Sequence, residues 1–288
     1  MKYRVWRLVF DDLDQNMNLE IPLCEYTEFS DVIWHIVYNP RKNMANCNSI
    51  PKIVNYDGGD MQVLIFYKER YIIFKGYANS HILTLIVRGD LISELIQYEF
   101  SAPVLHASGI AKDNNSYAFI GDTCSGKSTI AMYCAYRKKY KLIADDVFPL
   151  FYNGKVDDCQ TVSLLAGTKL REESCAFFNS LNGAYMFTPN EYFHNFDMKK
   201  NEYLNVKKIF WIKPFDGKPC IRQIFGANKY LACIQNRHQR SRNWSNAVSE
   251  NFFRSISKIQ IYDMFLPHRY QELHTVYDII DAEINGDS

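Results

Sequence analysis

The string GDTCSGKS, Gly121 to Ser128, carries two glycines five residues apart, then a lysine and a hydroxyl residue. Glycines at those positions let the backbone turn until successive N–H groups converge on one point, where they can hold phosphate oxygens. Lys127 is long enough to reach the terminal phosphates, and the Ser128 hydroxyl is a hard oxygen ligand suited to Mg²⁺. The expected nucleotide-binding set is Gly121, Asp122, Thr123, Cys124, Ser125, Gly126, Lys127, Ser128 and Thr129. An apolar run, SYAFI, leads into the loop, and a helix expected over about Ser128 to Lys138 leaves it with its positive end toward the same point. Cys124 lies where converging amides favour a thiolate. It reads either as a redox switch or, more simply, as a small residue the loop tolerates.

One helix further on, LIADD places Asp145 and Asp146 at the end of an apolar strand. An acidic residue there anchors the Mg²⁺ whose other ligands are the loop hydroxyl and the phosphates. Two adjacent carboxylates allow one to hold metal while the other takes a proton from an incoming hydroxyl. The doublet Asp157-Asp158 follows an Asn-Gly turn with no apolar strand leading into it, and reads as surface. His106, in VLHAS, reads either as an interior residue or as a group that orients an aspartate. The second reading follows because its strand should lie beside the one entering the loop. The other six histidines have no comparable setting.

Those residues need strands and helices to hold them. KYRVWRLVF, DVIWHIVY, MQVLIFYKERYIIFK and HILTLIVRG are rich in β-branched and aromatic residues and predict strands, the third a hairpin turning near Lys68-Glu69-Arg70. The Asn/Asp/Gly-rich piece from Asn39 to Gly59 predicts a loop. DLISELIQYEF predicts a helix capped by Asp90, with Leu91, Leu95 and Tyr98 on one face. SAPVLHASGI and SYAFIG predict two strands around the turn AKDNN. KLIADDVFPLFYNGKVDDCQTV predicts strands broken by the acidic pair and by an Asn153-Gly154 hairpin turn. KKIFWIKP, CIRQIF and IQIYDMF predict later strands; ANKYLACIQ, SNAVSENFFRSIS and YQELHTVYDIIDAEI predict helices. The expected fold is α/β, with a smaller β-rich domain over residues 1–98 and the phosphate-loop domain over 99–288.

The 288 residues are 47% hydrophobic and 23% charged, enough to build sizeable cores. A formal net charge of +1 supplies no general field for nucleic acid or anionic lipid, so neither is an expected partner. The basic clusters YRKKYK and RHQRSR read as solvated helix ends and loops. The opening MKYRVWRLVFDDLD does not read as a signal peptide, and no run approaches the ~18 apolar residues of a membrane span. Eight scattered cysteines without a CxxC pair fit reduced thiols and a cytoplasmic location, with no zinc site.

The order LHASGI, GDTCSGKST, LIADD resembles the kinase domain of the HPr serine kinase/phosphorylase family, a P-loop fold akin to phosphoenolpyruvate carboxykinase. It is most similar to the HPr-kinase-like proteins of lasso-peptide biosynthetic clusters, which phosphorylate a serine of a precursor peptide. AGTKLR, Ala166 to Arg171, is similar to a segment of that subgroup, and YRVWRLVF with the later IPL echoes its amino-terminal domain. The resemblance implies ATP and Mg²⁺ as cofactors and a peptide or small-protein acceptor. It implies Lys127 on the β- and γ-phosphates, Ser128 and Asp146 on the metal, and Asp145 as base supported by His106. Arg171 would stabilise charge on the transferring group. Thr129 stands where HPr kinases carry glutamate, and their Arg/Gly-rich signature is not intact here, which points away from HPr itself as acceptor.

The aromatic-rich stretch Cys175 to Lys200 reads equally as a flap over a peptide, with Lys199 or Lys200 on phosphate, or as a helix and loop packed on the sheet. Acceptor recruitment, contacts within a homo-oligomer and simple buttressing all fit the amino-terminal domain. The absence of a guanine-reading N/T-K-x-D string favours ATP. Beside a peptide kinase, two other readings remain: a nucleotide-binding regulator that transfers nothing, and a kinase for a small metabolite.

Overall fold

Runs of alternating apolar residues near the amino terminus form a five-stranded sheet. The computed structural model describes residues 4–10, 32–37, 49–56, 61–76, 86–137, 139–163, 168–182, 187, 192–193, 203–238, 244–267 and 269–286. The chain divides into two compact units, Met1–Arg88 and Gly89–Ser288. In the first, β1 (Arg4–Phe10) runs parallel to β2 (Val32–Val37), and the strands β3 (Lys52–Tyr56), β4 (Met61–Phe66) and β5 (Tyr71–Gly76) form an antiparallel meander. β5 joins the meander to β1 in parallel. The β4–β5 hairpin turns over Lys68, Glu69 and Arg70 as expected; Arg70, at φ 56°, donates its N–H to Tyr67 O. β3 corrects the expectation of a loop up to Gly59: Ile53 and Val54 extend the sheet at its edge, where Ile53 stays 56% exposed.

HILTLIVRG was expected to be a strand, but Ile86–Leu91 is a π-helical turn; residues 81–85 lie outside the described set. The wider turn places Ile86, Leu91 and Ile96, all buried, at five-residue spacing, an order that β-branched composition does not reveal. The turn runs into α1 (Ile92–Phe100). Asp90 lies within it rather than capping the helix. Leu91 and Leu95 are buried, whereas Tyr98 is 46% exposed and is not on the buried face.

The second unit is a mixed α/β structure. Its strands are β6 (Val104–Leu105), β7 (Ser108–Lys112), β8 (Asn115–Ile120), β9 (Lys141–Ala144), β10 (Phe148–Pro149), β11 (Phe151–Asn153), β12 (Asp158–Val162), β13 (Thr168–Lys169), β14 (Tyr192–Phe193), β15 (Tyr203–Pro214), β16 (Cys220–Ile224) and β17 (Gln260–Leu266). The helices are α2 (Lys127–Tyr136), α3 (Glu172–Asn182), α4 (Ala227–Gln235), α5 (Asn246–Lys258) and α6 (Leu273–Asn285).

β15 is the spine of an eight-stranded sheet. One flank pairs in parallel with β8. The other pairs first with β12, antiparallel, and then with β17, parallel. Beyond β8, β7 runs antiparallel to both β8 and β9. The carboxyl ends of β8, β9, β15 and β17 therefore share one edge with the start of β7.

Helices α2, α3 and α6 cover one face, where Phe119 stacks on Phe210 and Phe178 packs among aromatic rings. Helices α4 and α5 cover the other with Ala232, Cys233, Phe252 and Ile256. Ser245 caps α5 by accepting from Val248 N–H. The buried Lys208 ammonium ties α6 to the sheet through Glu283 O (2.6 Å) and Glu283 Oε1 (2.9 Å).

The Asn153-Gly154 hairpin turn proves to be a four-residue loop closing on the Asn153–Asp158 pair. Asn153 Oδ1 accepts from Lys155 N–H, and the left-handed position falls on Asp157 (φ 51°), not on the glycine. Of the stretch Cys175 to Lys200, the described helical part packs on the sheet: Cys175 and Phe178 are core residues. Lys199 and Lys200 lie outside the described residues. Among the described residues, no helix is long and apolar enough to cross a membrane.

Candidate active site

At the shared edge, β8 ends at Ile120 and the glycine loop begins. Gly121 has φ 153°, and a Cβ there would lie 2.7 Å from Ser125 Oγ and 3.0 Å from the Ile212 carbonyl oxygen. Gly126 has φ 97° and leads straight into α2. Only glycine adopts both conformations without strain. Cys124, between them, also has positive φ (69°). Ser125 N–H donates to Asp122 O, which turns the loop back on itself.

The loop closes around Lys127, which is 6% exposed and donates through Nζ to Gly121 O (2.9 Å) and Asp122 O (3.0 Å). Burial pulls the Lys127 amine below its ordinary pKa, while Asp146, Asp145, Asp122 and Cys124 pull the other way. Ser125 Oγ is buried inside the loop without a hydrogen-bond partner. Asp122, Thr123 and Cys124 are exposed on the outer side of the loop.

β9 delivers the acidic pair to the same place. Asp145 Oδ1 accepts from Ser128 Oγ (2.8 Å) and from Ser108 Oγ (2.6 Å), and the two hydroxyl oxygens lie 3.4 Å apart. Ser108, fully buried at the start of β7, was not singled out from the sequence. Its signal was its position, two residues after His106 in a strand flanked by β8 and β9.

Asp146 takes the left-handed conformation (φ 70°), which aspartate tolerates, and its carboxylate is 56% exposed. Its Oδ1 lies 3.7 Å from His106 Nε2. The resemblance implied Asp145 beside His106 and Asp146 beside Ser128; the contacts couple Asp145 with Ser128 and Asp146 with His106. Burial, then the Lys127 charge, push the His106 imidazole down to about 4 against the opposing pull of Asp145. His106 is therefore neutral at ordinary pH.

Thr129 does not point its hydroxyl along the loop. Its Oγ1 lies 3.0 Å from Ser174 Oγ, which in turn lies 3.1 Å from Tyr270 Oη. That bond joins the first turns of α2 and α3. Arg171, immediately before α3, accepts Cys175 N–H with its carbonyl and is exposed; among the described residues it makes no ion pair.

Sequence reasoning also passed over His238, whose ring centroid lies 6.2 Å from that of His106. The segment Asn236–His238 runs beside Val104–His106 only in the folded chain, so no local pattern marks it.

No protein-family model matches this chain, and no curated protein matches it. Among solved structures, the HPr(Ser) kinase/phosphatase from Coxiella burnetii matches at 10% sequence identity and a TM-score of 0.31, covering 64% of this chain and 99% of that one. At that level of similarity, only the geometry of the site itself bears on its chemistry.

Proposed function

We propose that this chain is a Mg²⁺- and ATP-dependent kinase that transfers the γ-phosphoryl group to a hydroxyl, in the first instance a serine of a peptide or small protein. One observation carries the reading. A loop that closes on a buried lysine shares its edge with two distinct acidic pairs, Ser128–Asp145 and His106–Asp146. The acceptor class follows from the resemblance of LHASGI, GDTCSGKST and LIADD to the lasso-peptide kinases.

The residues present fit both cofactors. Ser125 Oγ is a buried hydroxyl within the loop with no hydrogen-bond partner, and Gly121 and Gly126 hold the positive-φ backbone that a phosphate-wrapping loop requires. The Ser108, Ser128 and Asp145 oxygens are hard donors around one point, which suits Mg²⁺. Among the described residues, no three His, Cys, Asp or Glu groups gather to hold a metal unaided. That matches a cation held by one carboxylate, a hydroxyl and the nucleotide phosphates. When bound, Mg²⁺ would neutralise charge on the β- and γ-phosphate oxygens.

We assign Asp145 and Ser128 to the metal and Asp146 to the acceptor. Asp146, exposed and flanked by a neutral imidazole, takes the proton of the acceptor hydroxyl. The acceptor oxygen forms a bond to the γ-phosphorus as the bridging oxygen bond to ADP breaks. Lys127 exchanges its contacts with Gly121 O and Asp122 O for the departing diphosphate and stabilises its charge. From the resemblance alone, Arg171, just before α3, stabilises charge on the transferring group.

The test is incubation with γ-labelled ATP and serine-containing precursor peptides. Label should appear on peptide serine and vanish in Lys127→Ala. Asp146→Asn should abolish transfer while keeping Mg²⁺-dependent nucleotide affinity, whereas Asp145→Asn should lose the Mg²⁺ dependence itself. Label only in free phosphate, or nowhere, would mark a regulator rather than a kinase. Equal effects of the two asparagine variants on both readouts would remove the division of roles.

A further inference from the structure

The segment after α4 turns back along β6, the strand that leads into His106. Leu105 and Arg237 form an antiparallel bridge. It is flanked by hydrogen bonds from His106 N–H to Asn236 O (2.8 Å) and from His238 N–H to Val104 O (3.0 Å). His238 is thereby set behind His106, with the rings tilted by 43°.

His238 is only 7% exposed. Its Nδ1 lies 3.9 Å from Asp90 Oδ1, within ion-pair range but beyond hydrogen-bond length. Gly89 packs beside the same ring: a Cβ there would lie 3.8 Å from His238 Nε2, an ordinary van der Waals contact. Gly89 and Asp90 belong to the π-helical turn, and Ser93 Oγ fastens it by donating to Gly89 O (2.8 Å).

A buried imidazole beside a carboxylate costs desolvation that an apolar side chain would avoid. A π-helical turn is a rare device, frequently found at functional sites. Both features fall on one line, Asp90–His238–His106–Asp146, which runs from a partly buried carboxylate through the buried His238 imidazole to an exposed carboxylate.

We propose that His238, backed by Asp90, is a positioning residue that holds the His106 ring against Asp146. The Asp90 charge biases the His238 ring, and that ring restricts His106 to orientations facing Asp146. The carboxylate then presents one constant face to the acceptor hydroxyl. The proposal rests on the kinase reading above, but its structural content does not depend on it.

The test uses the full chain as His238→Ala, His238→Gln and Asp90→Asn, with three readouts. These are ATP hydrolysis by water with Mg²⁺ and no acceptor, titration with N-methylanthraniloyl-ATP, and NMR spectra of the His106 ring assigned through His106→Gln. His238→Ala and Asp90→Asn should lower kcat about tenfold, less than the roughly 10²- to 10⁴-fold contributed by a general base itself. KM for ATP should stay within about twofold, because nothing that binds nucleotide is touched. Both variants should shift the His106 ring signals, and His238→Gln, which keeps a polar group for Asp90, should recover most of kcat.

Unmoved His106 signals with unchanged kcat would overturn the proposal, as would parallel losses in kcat and nucleotide affinity. Should His238→Ala fail to fold in a thermal melt, Asp90→Asn and His238→Gln carry the test. If the wild type neither binds nor hydrolyses ATP, the kinase reading falls and the ring signals alone decide: moved signals support positioning, unmoved signals overturn it.

Discussion

Acid should destabilise this protein through His106 in a way that a single substitution removes. The imidazole is pushed from 6.5 down to about 4, chiefly by burial and then by the Lys127 charge. Between those two values the unfolded chain holds a proton that the folded chain rejects, so stability falls as pH drops from 6.5 toward 4. At about 1.4 kcal/mol for each tenfold change in proton affinity, the ceiling on this effect is roughly 3.4 kcal/mol. The ring is 33% exposed, so solvent screening brings the expected loss to ~1–2 kcal/mol. The assay is urea denaturation in low salt without nucleotide, at half-unit steps from pH 4 to 7.5, for the wild type and His106→Gln. The wild-type curve should drop relative to the variant by that amount across the window and run parallel to it above pH 7. Parallel curves throughout would show that His106 is not held neutral, and the account of its surroundings would fail.

Other substitutions probe the frame. Gly121→Ala forces a Cβ against the Ile212 carbonyl at positive φ; it should cost about 2 kcal/mol or more and abolish nucleotide binding, read by thermal melts and fluorescent-nucleotide titration. Phe252→Ala empties a fully buried site against Trp244, 4.8 Å away, and should lower stability by ~3–5 kcal/mol in urea denaturation. Lys208→Met leaves the Glu283 carboxylate without its buried ammonium. Because Glu283 is partly exposed and can rehydrate, the loss should be about 1–3 kcal/mol, with α6 amides exchanging hydrogen faster than those of β15.

The parts of the site that the sequence shows plainly are those whose signal is local. SYAFI, two glycines at a fixed interval and a lysine-serine pair announce a strand, a loop and a helix, and the chain folds in that order. IQIYDMF and SNAVSENFFRSIS are equally plain: the first is a short β-branched and aromatic run buried on both faces of the sheet, and the second buries Val248, Phe252, Ser255 and Ile256 at helical spacing. What stays hidden depends on distance or on a single dihedral. Nothing near His238 marks it as a neighbour of His106, since 236–238 meets 104–106 only through a backbone bridge. Which of the two adjacent aspartates meets Ser128 depends on the local backbone, including the positive φ of Asp146, which residue type leaves open. The π-helical turn at Ile86–Leu91 is masked by β-branched composition, and the edge strand Lys52–Tyr56 by its polar flanks.

The long strand β15 has a consequence for biogenesis. It supplies the flank on which β8 pairs and the Ile212 carbonyl that roofs Gly121, yet it is translated roughly ninety residues after that glycine. A nascent chain that has emerged only through α2 therefore carries the whole glycine motif without the wall that shapes it. Ribosome-bound intermediates halted before Tyr203 should fail to retain nucleotide, and those released beyond Pro214 should begin to do so. The glycine motif and the wall that shapes it are thus supplied by segments far apart along the chain.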